Sequence, residues 1–314
     1  MNMNKKMLFF ALFALMLLLA ACGGSGGNET GSTPADEETS DSGADGGEAT
    51  GDAEGDDSEA AAEGSTLQAI KDRGKLVAGV KFDTRLFGLK NPQSGDVEGY
   101  DVDIMKLLAQ HIFETDSADD VLELVQVNSK TRFELVDNGE IDLGAATATI
   151  NAEREEIVDF TNVYFIAGQS LLVPEDSSIT GIEDLTADTT VIAVKGSTSE
   201  KNIKEKAPDA KVDLYDDYAA AFTALRAGKG DTLTTDNAIL LGMRETDPSF
   251  KLVGGLFTEE PYGIFLKDGD DEFREYVNEF LNGLKESGEL DELYQKWFGE
   301  PAPENILYEN EFLK

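Results

Sequence analysis

Cysteine and histidine are almost missing: the 314 residues hold one of each, Cys22 and His111. A disulfide framework is therefore excluded, and with it a zinc site built from those two residue types. Cations are scarce too. Against 63 Asp and Glu stand 26 Lys and Arg, a formal charge of −37, and no Lys/Arg block interrupts the acidic run. Such a surface repels nucleic-acid phosphates, so no nucleic-acid partner is expected. Within residues 66–314 there is no Gly-x-Ser-x-Gly, His-Glu-x-x-His, P-loop or Gly-x-Gly-x-x-Gly. Common hydrolase, metalloprotease and nucleotide-binding chemistries thus lack their usual scaffolds. His111 closes an amphipathic helix, where a cation suits the helix dipole better than base chemistry. With 40% hydrophobic residues the chain can bury real cores, and its length suggests two domains.

The first 22 residues carry Lys5 and Lys6, an apolar run from Met7 to Leu19, and the small-residue close Ala20-Ala21-Cys22-Gly23. That is the layout of a secretory signal, with an apolar core shorter than the roughly 20 residues of a spanning helix. The close resembles the lipobox of bacterial lipoproteins, which implies that Cys22 is lipidated and becomes the first mature residue. The protein is then expected outside the cytoplasm, lipid-anchored to the outer face of the cell membrane. Residues 23–65 contain 13 acidic residues, no basic ones, and no aromatic or long aliphatic side chain. They cannot offset their conformational entropy by burial, so a disordered acidic tether reaching on the order of 35 Å is expected. The remaining 50 acidic and 24 basic residues fall in 66–314 and read as a solvated acidic surface.

From residue 66 the pattern alternates. A short helix at 67–70 ends at Gly74, and Leu76 to Phe82 reads as a strand. A helix over Asp101–Phe113, with Ile104, Leu108 and Ile112 at four-residue spacing, starts on Asp. A strand at 121–127, a helix at 129–136 and a strand at 141–146 follow. Then come strands at 170–173 and 190–194, a helix at 199–206, a strand at 211–214, a helix at 218–227, a strand at 232–235 and a helix at 238–244. The order predicts mainly parallel sheets with right-handed crossovers, flanked by helices, in two successive α/β layers. A strand at 262–266, a helix burying Phe273, Val277, Phe280, Leu281 and Leu284, and a last helix through Trp297-Phe298 complete the chain.

In open α/β sheets ligands bind beyond the carboxyl ends of strands, and the few cations and hydroxyls gather there. Lys81 ends the first strand; Ser129 and Arg132 open the next helix. Thr147, Thr149 and Arg154 follow the strand at 141–146, Ser197 and Thr198 the strand at 190–194, and Asp236 the strand at 232–235. A guanidinium that forks onto a carboxylate, helix-start N–H groups and one opposed carboxylate together suit the backbone end of a free amino acid. Singly, Arg154 is equally a surface partner of Glu155 or Glu156, and Asp236 equally a helix N-cap; their clustering favours a site.

These residues resemble the extracytoplasmic solute-binding proteins of amino-acid ABC transporters, with the type II periplasmic-binding-protein fold. The likeness runs through Gly99-Tyr100-Asp101-Val102-Asp103, Thr149-Ile150-Asn151-Ala152-Glu153-Arg154, Asp159-Phe160-Thr161-Asn162-Val163-Tyr164, Val194-Lys195-Gly196-Ser197-Thr198-Ser199-Glu200, Asp236 and Gly288 to Gly299. It implies two lobes joined by a two-strand hinge crossing near 165–168 and 259–261: residues 66–166 with 260–314, and residues 167–259. It also implies that Arg154, with Thr149, Ser197 and Thr198, holds the ligand α-carboxylate, and that Asp236 holds the α-ammonium. The stretches around Lys81, Ser129, Arg132 and Thr147 look most similar to the glutamate/aspartate-binding branch, where two cations face the distal carboxylate. Lys81 offers a point charge where an arginine would offer a fork. Glutamate or aspartate is the expected ligand, with glutamine or another polar amino acid open. A monomeric non-enzyme without cofactor or metal, delivering its ligand to a permease, follows from the resemblance. A dehydratase-like enzyme on the same scaffold is the alternative of another class.

Overall fold

The computed structural model describes residues 65–312. The signal segment, Cys22 and the acidic tether up to residue 64 lie outside the described residues. The chain opens with α1 (Thr66–Arg73), β1 (Leu76–Val80), a small sheet of β2 (Asp83–Thr84), β3 (Gly88–Lys90) and β4 (Val97–Glu98), and α2 (Tyr100–Phe113). It continues through β5 (Leu122–Gln126), α3 (Arg132–Asp137), β6 (Leu143–Gly144), α4 (Ala152–Glu155), β7 (Val158–Phe160) and β8 (Phe165–Ala167). The second run comprises β9 (Gln169–Pro174), β10 (Thr190–Val194), α5 (Thr198–Lys206), β11 (Lys211–Tyr215) and α6 (Tyr218–Arg226). After it come β12 (Thr232–Asp236), α7 (Asn237–Thr246), β13 (Phe250–Val253), β14 (Glu260–Tyr262), β15 (Phe265–Lys267), α8 (Asp271–Ser287) and α9 (Glu289–Phe298).

Two five-stranded sheets share one plan, β5-β1-β6-β15-β7 and β11-β10-β12-β9-β13. In each, the first three strands are parallel and the fourth runs antiparallel. The crossovers are helices, as parallel neighbours require. Between the sheets the chain passes twice, through β8 and β14, which pair antiparallel as a two-stranded ribbon. This is a two-lobe α/β fold with a two-strand hinge.

Several boundaries differ from the sequence expectation. The strand expected at 262–266 is two strands in two sheets, with a break at Gly263 and Ile264. A Cβ at Gly263 would stand 2.9 Å from the side chains of Ile150 and Phe160, so this crowded position favours glycine. Asp101 does not cap α2; Gly99 occupies the cap position and Asp101 is fully buried. Ser129 sits before α3, in a turn where Asn128 Oδ1 accepts the N–H groups of Lys130 and Thr131 at 3.0 and 2.9 Å. The strand at 141–146 shortens to β6; beyond it Ala145 N still donates to Gly79 O at 3.0 Å, and Ile150 N donates to Pro261 O at 2.8 Å.

Burial follows the helical period. Phe273, Val277, Phe280, Leu281 and Leu284 form the inner face of α8, each worth roughly 1.5–3 kcal/mol relative to exposure. Behind the hinge, Phe87, Tyr100, Phe165, Tyr294 and Phe298 pack with centroids 4.9–6.4 Å apart, mostly edge-on or tilted, which suits ring quadrupoles.

Candidate functional site

The carboxyl ends of β1, β6, β10 and β12 deliver the candidate side chains to one region between the sheets. Lys81 follows β1 and is 1% exposed. Its ammonium donates to Ser129 Oγ at 2.8 Å and lies 4.9 Å from the centre of the Tyr218 ring, which belongs to α6 on the other sheet. Burial, reinforced by Arg132, pushes Lys81 down to about 7. Arg132, at the start of α3, is equally buried; Nη1 donates to the carbonyl oxygens of Ala146 and Thr147 at 2.7 and 3.0 Å. Its Nε is buried and finds no partner among the described residues. Burial and the Arg154 charge lower it to about 9.

Thr147 adopts φ +51°, a left-handed conformation that is strained for a β-branched residue. Two bonds hold it: its N–H donates to Asp101 Oδ2 at 3.2 Å, and its carbonyl accepts from Arg132. The Thr147 hydroxyl is buried and unpartnered among the described residues. Asp101 is itself clamped by Tyr164, whose hydroxyl donates at 2.8 Å, while burial drives its carboxyl up to about 7.

Asn151 caps α4 by accepting the N–H of Arg154 at 3.0 Å, which aims the arginine side chain inward. Arg154 is buried, and its guanidinium spans the lobes: Nη1 reaches Thr149 O at 2.7 Å and Nη2 reaches Gly196 O at 3.3 Å. Asp236 ends β12 at the N-cap position of α7, yet makes no side-chain cap bond. Instead Oδ2 accepts from the Tyr262 hydroxyl, and Oδ1 is buried without a partner among the described residues. Burial and the neighbouring Glu260 push this carboxyl up, while Arg154 and Arg132 pull it down.

Ser197 and Thr198 are present, but their hydroxyls are engaged. Ser197 caps α5, donating to Val194 O at 2.7 Å and accepting from Glu200 N at 3.3 Å. Thr198 Oγ1 donates to Glu260 at 2.8 Å and accepts from Gln169 Nε2 at 3.0 Å. What this turn offers a ligand is the N-terminal backbone of α5 rather than side-chain donors. Gly196, at φ +74°, lets that turn approach the first lobe closely: a Cβ would stand 2.8 Å from Lys130 Cα and Ser129 O.

The lobes are closed over these groups. Asp83 Oδ2 accepts the Tyr218 N–H at 2.7 Å, Arg85 pairs with Glu245 at 2.9 Å, and Lys201 pairs with Glu153 at 2.8 Å. Sequence reasoning missed Tyr218, Glu260, Tyr262 and the buried role of Asp101. The pattern Glu260-Pro261-Tyr262 at the return crossing was the available signal, since a carboxylate and a phenol in a short hinge strand have no solvent-facing reason to be there. Among the described residues no cluster of His, Cys, Asp and Glu suits a metal ion, and no helix is long and apolar enough to cross a membrane.

This arrangement, cations and a carboxylate buried between two similar α/β lobes, agrees with a family match. The family described as bacterial extracellular solute-binding proteins, family 3, matches residues 76–300. The chain belongs to this family. Its members' extracellular setting places the protein outside the cytoplasm. Over 302 residues it is 46% identical to the ABC transporter glutamine-binding protein GlnH of Bacillus subtilis, covering 96% of this chain and all of that one. The glutamate-binding protein GluB of Corynebacterium glutamicum is 34% identical over 247 residues, or 76% of this chain and 83% of that one. A solved ancestral arginine-binding protein bound to glutamine superposes with a TM-score of 0.67 at 35% identity, covering 73% of this chain and 99% of that one. For a family 3 solute-binding protein the relevant chemistry is capture and release, which puts the closed cleft, not a reacting bond, at the centre.

Proposed function

We propose that this protein binds a free amino acid between its lobes and delivers it to an ABC permease, with glutamine as the preferred ligand. The observation that carries the amino-acid reading is the unpartnered Asp236 Oδ1, buried in the field of Arg154 and Arg132. A buried carboxylate oxygen without a donor is costly, and an α-ammonium supplies that donor while the guanidinium wall takes the α-carboxylate. Arg154 and the α5 N-terminus serve the carboxylate, Asp236 the ammonium, and Lys81, Ser129, Arg132 and Thr147 the distal side chain. Residues 66–166 with 260–314 act as one lobe and 167–259 as the other. Ligand contacts from both stabilise the closed state, and only that differential affinity drives closure. Lipid on Cys22 keeps the monomeric protein near its permease.

Glutamine is favoured by the 46%-identical relative named for that ligand. Lys81 and Ser129 suit a side-chain amide oxygen. Glutamate is the second reading, supported by two buried cations, Lys81 and Arg132, in the same wall. The two readings separate by calorimetry at pH 8, in buffers of differing ionisation enthalpy. A γ-carboxylate raises the depressed Lys81 and draws a proton from the buffer, whereas an amide does so far less. Micromolar or tighter glutamine binding, with glutamate at least tenfold weaker, is the expected result. The reverse order replaces glutamine by glutamate, and absence of binding by either overturns the reading.

A further inference from the structure

The hinge strand β14 does more than connect. It runs antiparallel to the segment 148–150, with Ile150 N donating to Pro261 O at 2.8 Å and Gly263 N to Ala148 O at 3.0 Å. That pairing puts Tyr262 opposite Thr149 and leaves Glu260, two residues away in β14, close enough for its side chain to reach the Thr149 hydroxyl. Glu260 is 2% exposed, and its two carboxylate oxygens collect donors from both lobes. Oε2 accepts from Thr149 Oγ1 at 2.7 Å and Thr198 Oγ1 at 2.8 Å, and Oε1 accepts from Asn202 Nδ2 at 3.1 Å. Gln169 completes the network, donating to Thr198 Oγ1 and accepting from Asn202 Nδ2 at 3.2 Å.

A hydroxyl carries one proton and two lone pairs. Because a carboxylate only accepts, both threonine protons point at Glu260, and what remains on Thr149 Oγ1 is acceptor capacity. A hydroxyl so fixed cannot donate to a ligand carboxylate; it can receive from an ammonium.

We infer that Glu260 is a positioning residue: by taking the protons of Thr149 and Thr198 from the hinge, it turns the Thr149 hydroxyl into an acceptor and makes the site select for a ligand's α-ammonium. This deepens the amino-acid reading and rests on it. On this reading Thr149 serves the ammonium end of the ligand, where the resemblance implies the carboxylate end. The same β14 strand presents Tyr262 to Asp236, so one hinge segment orients two groups for the ammonium. Since Thr198 and Asn202 reach Glu260 from the other lobe, this orientation is completed only when the lobes are closed.

The test compares glutamine with glutaramate, its analogue lacking the α-amino group, by calorimetry. Wild-type protein is expected to prefer glutamine by at least 100-fold. In Glu260→Met, which keeps length and removes both acceptors, glutamine affinity should fall at least 30-fold and glutaramate affinity no more than threefold, so the preference collapses. Thr149→Val, with Glu260 in place, should show the same selective loss and covers the case in which Glu260→Met does not fold. A purely structural role lowers both ligands together, and a Thr149 that donates to the carboxylate does the same; either result overturns the inference. Wild-type protein that binds no amino acid sinks the underlying reading. Wild-type selectivity that survives in Thr149→Val sinks only this one.

Discussion

Arg154 is held by carbonyl oxygens of both lobes, and its charge is balanced chiefly through the nearby carboxylates of Glu260 and Asp236. Removing it strips the cleft of the group best suited to fork onto a carboxylate and leaves a bound ligand's anion unpaired in a dry site. Arg154→Ala should therefore weaken amino-acid binding by more than about 3 kcal/mol, over 100-fold, as read by calorimetry. Normal affinity in that variant would remove Arg154 from the site. On the proposed reading Lys81 and Arg132 face the other end of the ligand. Their joint replacement by alanine should lower glutamate affinity at least tenfold more than glutamine affinity, because an anionic side chain depends on charge and an amide only on hydrogen bonds. Equal losses for both would show that these cations do not read the side chain. Neither effect is conservative toward stability: the Lys81 ammonium also satisfies Ser129, and Arg132 satisfies two carbonyls that fix the strained Thr147.

At the scale of elements, the approach of the α5 turn to the Asn128–Thr131 turn decides whether the lobes can close. Gly196 permits it. In Gly196→Ala the added carbon meets backbone atoms of Ser129 and Lys130, which cannot rotate away, and the left-handed φ adds strain of order 1 kcal/mol in either state. Ligand affinity should fall at least tenfold while the melting temperature of the free lobes drops only a few degrees. An affinity loss no larger than the stability loss explains would mean that this contact does not gate closure. Such contacts also show what was legible beforehand. Alternation of strand and helix, the apolar face of α8 and the strand-end placement of Lys81, Arg154 and Asp236 are all local patterns, set by period and by turn chemistry, and could be read from neighbours in the chain. The split of residues 262–266 into β14 and β15 could not, because the side chains that crowd Gly263 at the break, Ile150 and Phe160, lie over a hundred positions away. Glu260 escaped for the same reason: its partners come from two distant segments, Thr149 before α4 and Thr198 with Asn202 in α5. The committed hydroxyls of Ser197 and Thr198 were equally hidden, since a residue's type gives its donors but not where they are spent.

For the whole molecule, the closed cleft ties folding and binding to pH in opposite directions. Burial holds Asp101 up at about 7, so between about pH 4, where an unfolded aspartate titrates, and pH 7 the native protein binds more protons than the unfolded chain. Stability then falls as pH rises through that window. Lys81, pushed down to about 7, reverses the sign above it: the unfolded chain binds more protons between about 7 and 10, and stability rises again. The free protein should accordingly melt lowest near neutrality and higher at both pH 5.5 and pH 9. Asp101→Asn, which cannot titrate, should lessen the slope on the acid side and leave the share of the raised Asp236 carboxyl. Binding runs the other way on that side. The Asp236 carboxyl is raised by burial and Glu260, and an ammonium ligand needs it ionised, so acidification makes the ligand compete with a proton. Glutamine affinity should weaken between pH 7.5 and 5.5, by up to about tenfold per pH unit once Asp236 is mostly protonated. Thermal unfolding with and without glutamine reads both effects at once. The ligand-induced rise in melting temperature should shrink at pH 5.5, where the free protein is itself more stable. A rise that grows on acidification would mean that the carboxylate facing the ligand is not the one at the end of β12.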